Sequence, residues 1–169
     1  MRIYILGFMG SGKSTFGKEL AEEIGYSFID LDKEIENKEK ASIQQIFKDK
    51  GEEAFRKMEY TSLRETEKEE NIIIATGGGA PCLNDNMKWM NEHGLTIYLK
   101  LFEAELKRRI EPEMEHRPLL NGIGLDDLER FIYNSLRERA YFYHQAKIVI
   151  DPLLIGPPEM AMILKENYM

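Results

Sequence analysis

Apolar residues along this chain fall into two alternating arrangements. Dense short runs have the length and β-branched content of strands: Ile3-Tyr4-Ile5-Leu6, Ser27-Phe28-Ile29-Asp30, Ile72-Ile73-Ile74-Ala75-Thr76, Thr96-Ile97-Tyr98-Leu99-Lys100-Leu101 and Lys147-Ile148-Val149-Ile150-Asp151. The third and fifth are almost continuously aliphatic, as expected for strands covered on both faces. Between the runs, apolar residues recur at helical spacing. Phe16, Leu20 and Ile24 stand four apart within 15–24. A short helix is predicted over 33–39. Ser42-Ile43-Gln44-Gln45 has the form of a capping box and opens a helix reaching about residue 50, which Gly51 ends or bends. Further helices are predicted over about 52–69, 85–92, 102–110, 125–143 and 158–167.

Strands alternating with helices predict an α/β fold: an open, doubly wound, mainly five-stranded parallel sheet flanked by helices. Ligands of such a sheet bind beyond the carboxyl ends of its strands. No internal repeat, low-complexity tract or linker divides the chain, so residues 1–169 are expected to form one domain. Two segments look irregular. One spans 111–124 and contains Pro112, Pro118, Gly122 and Gly124; the other spans 151–158. The first is expected to act as a mobile lid.

Composition narrows the function classes. The net charge of −7 argues against a nucleic-acid partner, which usually needs a basic face. No apolar stretch approaches the ~20 residues of a membrane span. Met1 leads directly into the first strand, leaving no room for a secretory signal. The single cysteine, Cys82, cannot form an internal disulfide, and a packed or rim thiol is a better reading for it than a nucleophile. These features lead us to expect a cytoplasmic protein with no membrane partner. The acidic run 65–70 reads as a solvated helix end.

The most specific local feature is Gly7-Phe8-Met9-Gly10-Ser11-Gly12-Lys13-Ser14, which fits G-x-x-x-x-G-K-[ST] between a strand and a helix. Glycines let the backbone approach phosphates and turn its N–H groups inward, and the new helix directs its positive end at the same anion. Lys13 would bridge the outer phosphates and the Ser14 hydroxyl would hold Mg²⁺. A glycine-rich turn without a ligand is the plain alternative, which the flanking strand and helix disfavour.

Four further clusters fall at strand ends or helix starts. In Asp30-Leu31-Asp32, an extended chain would point both carboxylates to one side. One could serve Mg²⁺; the other could accept hydrogen bonds from an acceptor hydroxyl or take its proton. The competing reading makes Asp32 an ordinary helix cap. Arg56 and Glu59 are three apart on a helix, either as a surface pair or with Glu59 steadying Arg56 to grip a carboxylate. Thr76-Gly77-Gly78-Gly79-Ala80-Pro81 is either a flexible loop or bare backbone against which a substrate lies. Arg117, in the irregular segment, could close over phosphates. For Arg117, Arg137 and Arg139 alike, surface solubility is the alternative.

The phosphate loop, Asp30-Leu31-Asp32, Phe55-Arg56 with Glu59, Gly77-Gly78-Gly79 and Arg117-Pro118-Leu119-Leu120 occur in the order and approximate spacing of shikimate kinases, and the chain resembles that family to about Asp151. Only the phosphate loop is specific by itself; the ordered set is specific as a whole. The resemblance implies a P-loop kinase fold and transfer of the γ-phosphoryl of ATP to the 3-hydroxyl of shikimate, on the route to chorismate and the aromatic amino acids. It implies that Lys13 and the backbone of Gly10, Ser11, Gly12, Ser14 and Thr15 hold phosphates. Ser14 and Asp30 would serve Mg²⁺, and Asp32 would bind ring hydroxyls and act as the base. Arg56, oriented by Glu59, would grip the shikimate carboxylate together with a late arginine. Gly77, Gly78 and Gly79 would line the ring, within a substrate-binding helical region over about 32–60. Arg117 would belong to the lid.

The chain departs from the family pattern in two places. The family's late arginine stands four residues before a tyrosine, in Arg-x-Pro-Leu-Tyr. Here both Arg139 (before Tyr143) and Arg137 (before Tyr141) have that spacing, and we choose Arg139. The lid sequence Glu111-Pro112-Glu113-Met114-Glu115-His116 is acidic for a segment that meets ATP, and a solvent-facing orientation would account for it. Arg109 is taken as a stacking partner for adenine. We expect a monomer. Rival readings are a related small-molecule kinase such as a gluconate kinase, a nucleoside monophosphate kinase, and a GTPase-type switch. The last usually needs Asn-Lys-x-Asp, whereas Asn37-Lys38-Glu39-Lys40 ends in the wrong residue.

Overall fold

A computed structural model describes residues 1–169 apart from the side chain of His116. Five parallel strands form one sheet: β1 (Arg2–Leu6), β2 (Ser27–Asp30), β3 (Ile72–Ala75), β4 (Leu95–Leu99) and β5 (Ile148–Ile150), in the order β2-β3-β1-β4-β5. The helices are α1 (Lys13–Ile24), α2 (Leu31–Glu39), α3 (Ile43–Glu65), α4 (Asn86–His93), α5 (Glu103–Ile110), α6 (Leu125–Tyr143) and α7 (Pro157–Asn167). None is long and apolar enough to cross a membrane.

The period-two alternation of the strands divides the core into two layers. Ile3, Ile5, Ile73 and Ile97 face one way, onto Phe16 and Leu20 of α1 and Met160 and Leu164 of α7. Tyr4, Leu6, Ile74 and Tyr98 face the other way, onto Leu63, Met90, Leu106, Ile132 and Tyr143. Most of these side chains are fully buried, each contributing ~1.5–3 kcal/mol of burial free energy. A third, smaller cluster of Ile35, Ile46 and Phe55 joins α2 to α3.

Register places the site. Ile5 lies opposite Ala75, and Ala75 opposite Asp30, so β1, β3 and β2 end level with one another. The loops that follow, from Gly7, Thr76 and Asp30, therefore emerge side by side. Thr76 prolongs the ladder through its N–H and its hydroxyl, both donated to Ile5 O at 3.1 and 3.2 Å.

Several boundaries differ from the sequence reading, each for a local reason. The predicted helix over 52–69 stops at Glu65 because the buried Thr66 hydroxyl donates to Leu63 O at 2.7 Å and starts a 3₁₀ turn. The charged residues of the 65–70 run are exposed, as expected. Gly51 (φ 81°, ψ 171°) is non-helical and divides α3 into two helical stretches that meet at a kink, in keeping with the sequence reading. Only half of the expected capping box forms: Ser42 Oγ accepts from Gln45 N at 3.2 Å, while Gln45 Nε2 donates to Asp49 instead of returning to the cap. The 111–124 segment is a series of 3₁₀ turns, over Glu111–His116 and Pro118–Leu120. Cys82 is a half-buried thiol, pushed up to about 11 by burial, which fits a packed residue better than a nucleophile.

Candidate active site

The loop after β1 takes conformations that require its glycines: Gly7, Gly10 and Gly12 have φ of 154°, 76° and 89°. Helix α1 starts at Lys13 with no side-chain cap and no acid in its first turn, so its leading N–H groups face open space. By contrast, Asp30 and Ser42 cap α2 and α3. Lys13 Nζ donates to Phe8 O at 3.0 Å inside the loop. Burial lowers its ammonium to about 8, against the pull of Asp32 and Asp30.

The two aspartates share a site by a different route from the one expected. The chain does not stay extended after β2; α2 begins at Leu31. Asp30, not Asp32, is the cap, and its Oδ1 accepts from Asp32 N at 3.0 Å and Lys33 N at 3.4 Å. Its Oδ2 accepts the Ser14 hydroxyl. Asp32 is left in the first turn of α2 with Oδ1 buried and unpartnered. Burial, with Asp30 adding to it and Lys13 opposing, raises its carboxyl to about 6.

On α3, Arg56 Nη1 donates to Glu59 Oε2 at 2.5 Å, while Nε and Nη2 reach Glu52 Oε1 at 3.2 and 3.0 Å. Glu59 is 2 % exposed, so this is no surface pair. Burial pushes its carboxyl up to about 7 in spite of Arg56. Arg139 of α6 lies over the Phe8 ring, 5.1 Å from the centroid, with Nη1 buried and unpartnered. Arg137 is exposed and rests on Tyr133 of its own helix. Tyr143, one turn beyond Arg139, donates to Gly78 O at 2.6 Å and ties α6 to the triple-glycine loop.

Two cavities open at this sheet edge. One, of about 650 Å³, is walled by Gly10 and Gly12 to Thr15 of the loop, Asp30, Asp32, Arg108, Arg109 and the lid residues Glu113 and Arg117. The other, of about 440 Å³, is walled by Asp32, Arg56, Glu59, Gly77, Gly78, Gly79, Arg139 and the aromatic pair Phe47 and Phe55. Met9, Asp32, Gly78 and Arg117 line both, so the cavities meet there. The first has the shape and cations for a triphosphate. The second offers three guanidiniums (Arg56, Arg117, Arg139) and three carboxylates (Asp32, Glu36, Glu59) beside the apolar Phe47 and Phe55.

Among the described residues, the buried side-chain polar atoms without a partner are Ser11 Oγ, Asp32 Oδ1, Arg117 Nε and Arg139 Nη1. All belong to the phosphate loop or the two cavities. Leaving such an atom unsatisfied costs ~1–3 kcal/mol, a penalty that a ligand removes.

The remaining expected residues are also located. Arg109 lies against the loop, its Nη1 3.4 Å from where a Cβ on Gly12 would stand, and is held by Glu105 at 2.6 Å. Arg117 donates to Glu113 Oε2 at 2.6 Å. Glu111, Glu113 and Glu115 are all exposed, as a solvent-facing orientation requires, and Glu113 also pairs with Arg117. Sequence reasoning missed Phe47, Glu36, Met9 and Glu113 as wall residues. Phe47 and Phe55 were legible as apolar positions on either side of the Gly51 bend; Met9 and Glu113 carried no signal that distinguished them.

A parallel sheet with β1 at its centre, an uncapped helix behind a glycine loop and an acceptor cavity opening onto it define a P-loop kinase. The comparisons make this specific. The family described as Shikimate kinase matches residues 9–161. A shikimate kinase of Parabacteroides distasonis is 47% identical over 150 residues, covering 89% of this chain and 87% of the relative. The crystal structure of shikimate kinase from Bacteroides thetaiotaomicron superposes with a TM-score of 0.88 at 38% identity, covering 98% and 97% of the two chains. That of Acinetobacter baumannii shikimate kinase in complex with shikimate gives 0.87 at 31%, covering 99% and 95%. The chain belongs to the shikimate kinase family and is an ATP-dependent kinase.

Proposed function

We propose that the chain transfers the γ-phosphoryl of ATP to the 3-hydroxyl of shikimate, giving shikimate 3-phosphate and ADP, through the residues at the junction of the two cavities. The observation that carries this reading is that Asp32 and Arg117 line both cavities. A hydroxyl held in the second cavity then faces a phosphorus held in the first.

Binding comes first. The N–H groups of Gly10 to Thr15 and the Lys13 ammonium receive the phosphates. Arg56, steadied by Glu59 and Glu52, and Arg139, held over Phe8, grip the substrate carboxylate with paired charge-assisted hydrogen bonds. Gly78 and Gly79 let the ring approach bare backbone. Arg109 lies beside the loop, where it would contact nucleotide. As the substrate oxygen bonds to the γ-phosphorus and the bond to the ADP oxygen breaks, Asp32 takes the hydroxyl proton. Lys13 and Arg117 neutralise charge on the transferring group. Arg117 leaves Glu113 for the phosphates as 111–124 closes, and closure excludes competing water.

Ser14 and Asp30 suit Mg²⁺: a hydroxyl and a carboxylate already in contact at the phosphate end of the loop, both hard oxygen donors. Among the described residues no cluster of three acidic, His or Cys groups could hold a metal alone. That fits an ion completed by phosphate and water. Bound there with ATP, the ion would neutralise phosphate charge. Ser14→Ala is expected to raise the Mg²⁺ concentration for half-maximal activity about tenfold, measured by metal titration at saturating ATP.

We take the chain to act as a single-domain monomer, and its acidic composition supports a cytoplasmic enzyme without nucleic-acid or membrane partners. The deciding assay is coupled ADP release with Mg-ATP and either shikimate or gluconate. Turnover with shikimate alone is expected; turnover with gluconate and none with shikimate would reassign the acceptor. Arg56→Ala should raise KM for shikimate about 10–100-fold, the worth of a charge-assisted pair, with KM for ATP changed less than threefold. Equal changes in both would remove Arg56 from the carboxylate clamp.

A further inference from the structure

The three successive glycines after β3 lie against three different groups. A Cβ on Gly78 would meet backbone, 3.3 Å from Met9 N and 3.4 Å from Gly7 O. One on Gly79 would meet the Arg56 guanidinium, 2.9 Å from Nη1. One on Gly77 would stand 2.2 Å from Glu59 Oε1 and 3.1 Å from Asp32 Oδ1, between the two buried carboxyl groups of the acceptor cavity. Gly77 has no positive φ, so its backbone conformation is open to any residue. Only space demands a glycine there.

We propose that Gly77 is a positioning residue. Its missing side chain makes the room in which the Glu59 carboxylate stands, and through Glu59 it fixes where Arg56 points. Glu59 cannot give way freely. It is buried on α3, its Oε2 takes Arg56 Nη1 at 2.5 Å, and Phe55 and Leu63 flank it on the same buried face. A methyl at residue 77 therefore displaces the carboxylate from Arg56 or toward Asp32. The first outcome weakens substrate binding; the second crowds the proton acceptor. A Cβ on Gly78 would meet the phosphate loop, whereas Gly77 does not line the phosphate cavity, so a methyl at residue 77 should change ATP binding little. This inference rests on the acceptor reading given above, and it separates Gly77 from Gly78 and Gly79: Gly77 acts through a side chain rather than by touching substrate.

The test is a double-mutant cycle, with shikimate KM, ATP KM and kcat read by ADP release and shikimate affinity read by calorimetry. The unsubstituted chain, Gly77→Ala, Glu59→Ala, Glu59→Asp and both pairs are compared. Activity of the unsubstituted chain with shikimate checks the acceptor reading separately, before any variant is considered. Gly77→Ala is expected to raise KM and Kd for shikimate at least fivefold with ATP KM within twofold. Added to Glu59→Ala, it should cost less than a further twofold, because the group it displaces is gone. Glu59→Asp, with a carboxylate one methylene shorter, should restore part of the affinity lost in Gly77→Ala. If Gly77→Ala is too unstable for kinetics, the same coupling is read from the fold itself: the pairs with Glu59→Ala or Glu59→Asp are expected to regain the cooperative melting that the single variant has lost or lowered, and pairs no more stable than the single variant would overturn the proposal. A full fivefold loss in the Glu59→Ala background would mean that the methyl blocks substrate directly, and no loss in the native background would mean that the space is not needed. Either result overturns the proposal.

Discussion

Replacing Lys13 with Ala is expected to lower kcat with shikimate by about 10²–10³-fold while leaving the fold intact, as loss of one preorganised charge at a transferring group typically does. Lys13 is the cation built into the loop itself. Its ammonium is held by Phe8 O inside the cavity that the phosphates would fill. The fold does not depend on this charge. Its value near 8, against the ordinary 10.5, means that the folded state binds the proton less tightly than the unfolded chain. Below about pH 8 the buried charge therefore opposes folding, and removing it at pH 7 should leave the melting temperature unchanged or higher. Normal turnover in a folded Lys13→Ala protein would contradict the phosphate role; loss of turnover together with the fold would leave the structural argument in error.

Asp32→Asn should lower kcat by about 10²–10⁴-fold, with ATP affinity changed little, since it would remove the proposed proton acceptor and keep the shape. The pH dependence supplies an independent readout. Burial raises Asp32 to about 6, so the group is a ready base above that pH and is protonated below it. The kcat/KM for shikimate should fall with decreasing pH below about 6, and the Asn variant should lack that limb. Glu59, at about 7, adds a shallower decline as its protonation loosens Arg56. Stability should move the opposite way. A folded-state value above the ordinary 3.8 means that Asp32 favours the folded state when protonated and opposes it above about pH 6. At pH 8 the Asn variant should melt at or above the temperature of the unsubstituted chain. An unchanged rate in Asp32→Asn would remove it as the base.

The strands and helices were legible because their apolar residues obey two distinct periods, and both layers of the core repeat those periods in three dimensions. The site was legible where chemistry and spacing coincide, as in Gly7 to Ser14. It was less so where a choice between neighbours depends on helix phase. Arg137 and Arg139 lie two residues apart, about 200° around α6, so one alone can face the cavity. The buried stripe Leu128, Ile132, Ser135 and Tyr143 sets that phase and places Arg139 on it. Spacing to a tyrosine, which both arginines satisfy, could not separate them. The cap of α2 was ambiguous in another way. Aspartates stand at residues 30 and 32, and only the path of the backbone after β2 decides which one caps and which is left with a free, buried oxygen. The Glu113–Arg117 pair is local, four residues apart, but lies in a segment read as irregular; the closeness of Gly77 to Glu59 depends on tertiary packing that one-dimensional patterns do not carry.

The proposed transfer depends on the two cavities meeting at Asp32. The most direct measurement is a crystal structure of the chain with shikimate, Mg²⁺ and a non-hydrolysable ATP analogue. The shikimate carboxylate is expected between Arg56 and Arg139, and the 3-hydroxyl within hydrogen-bond reach of Asp32, about 3–3.5 Å from the terminal phosphorus. Shikimate bound elsewhere, or with its 3-hydroxyl turned away from that phosphorus, would contradict it.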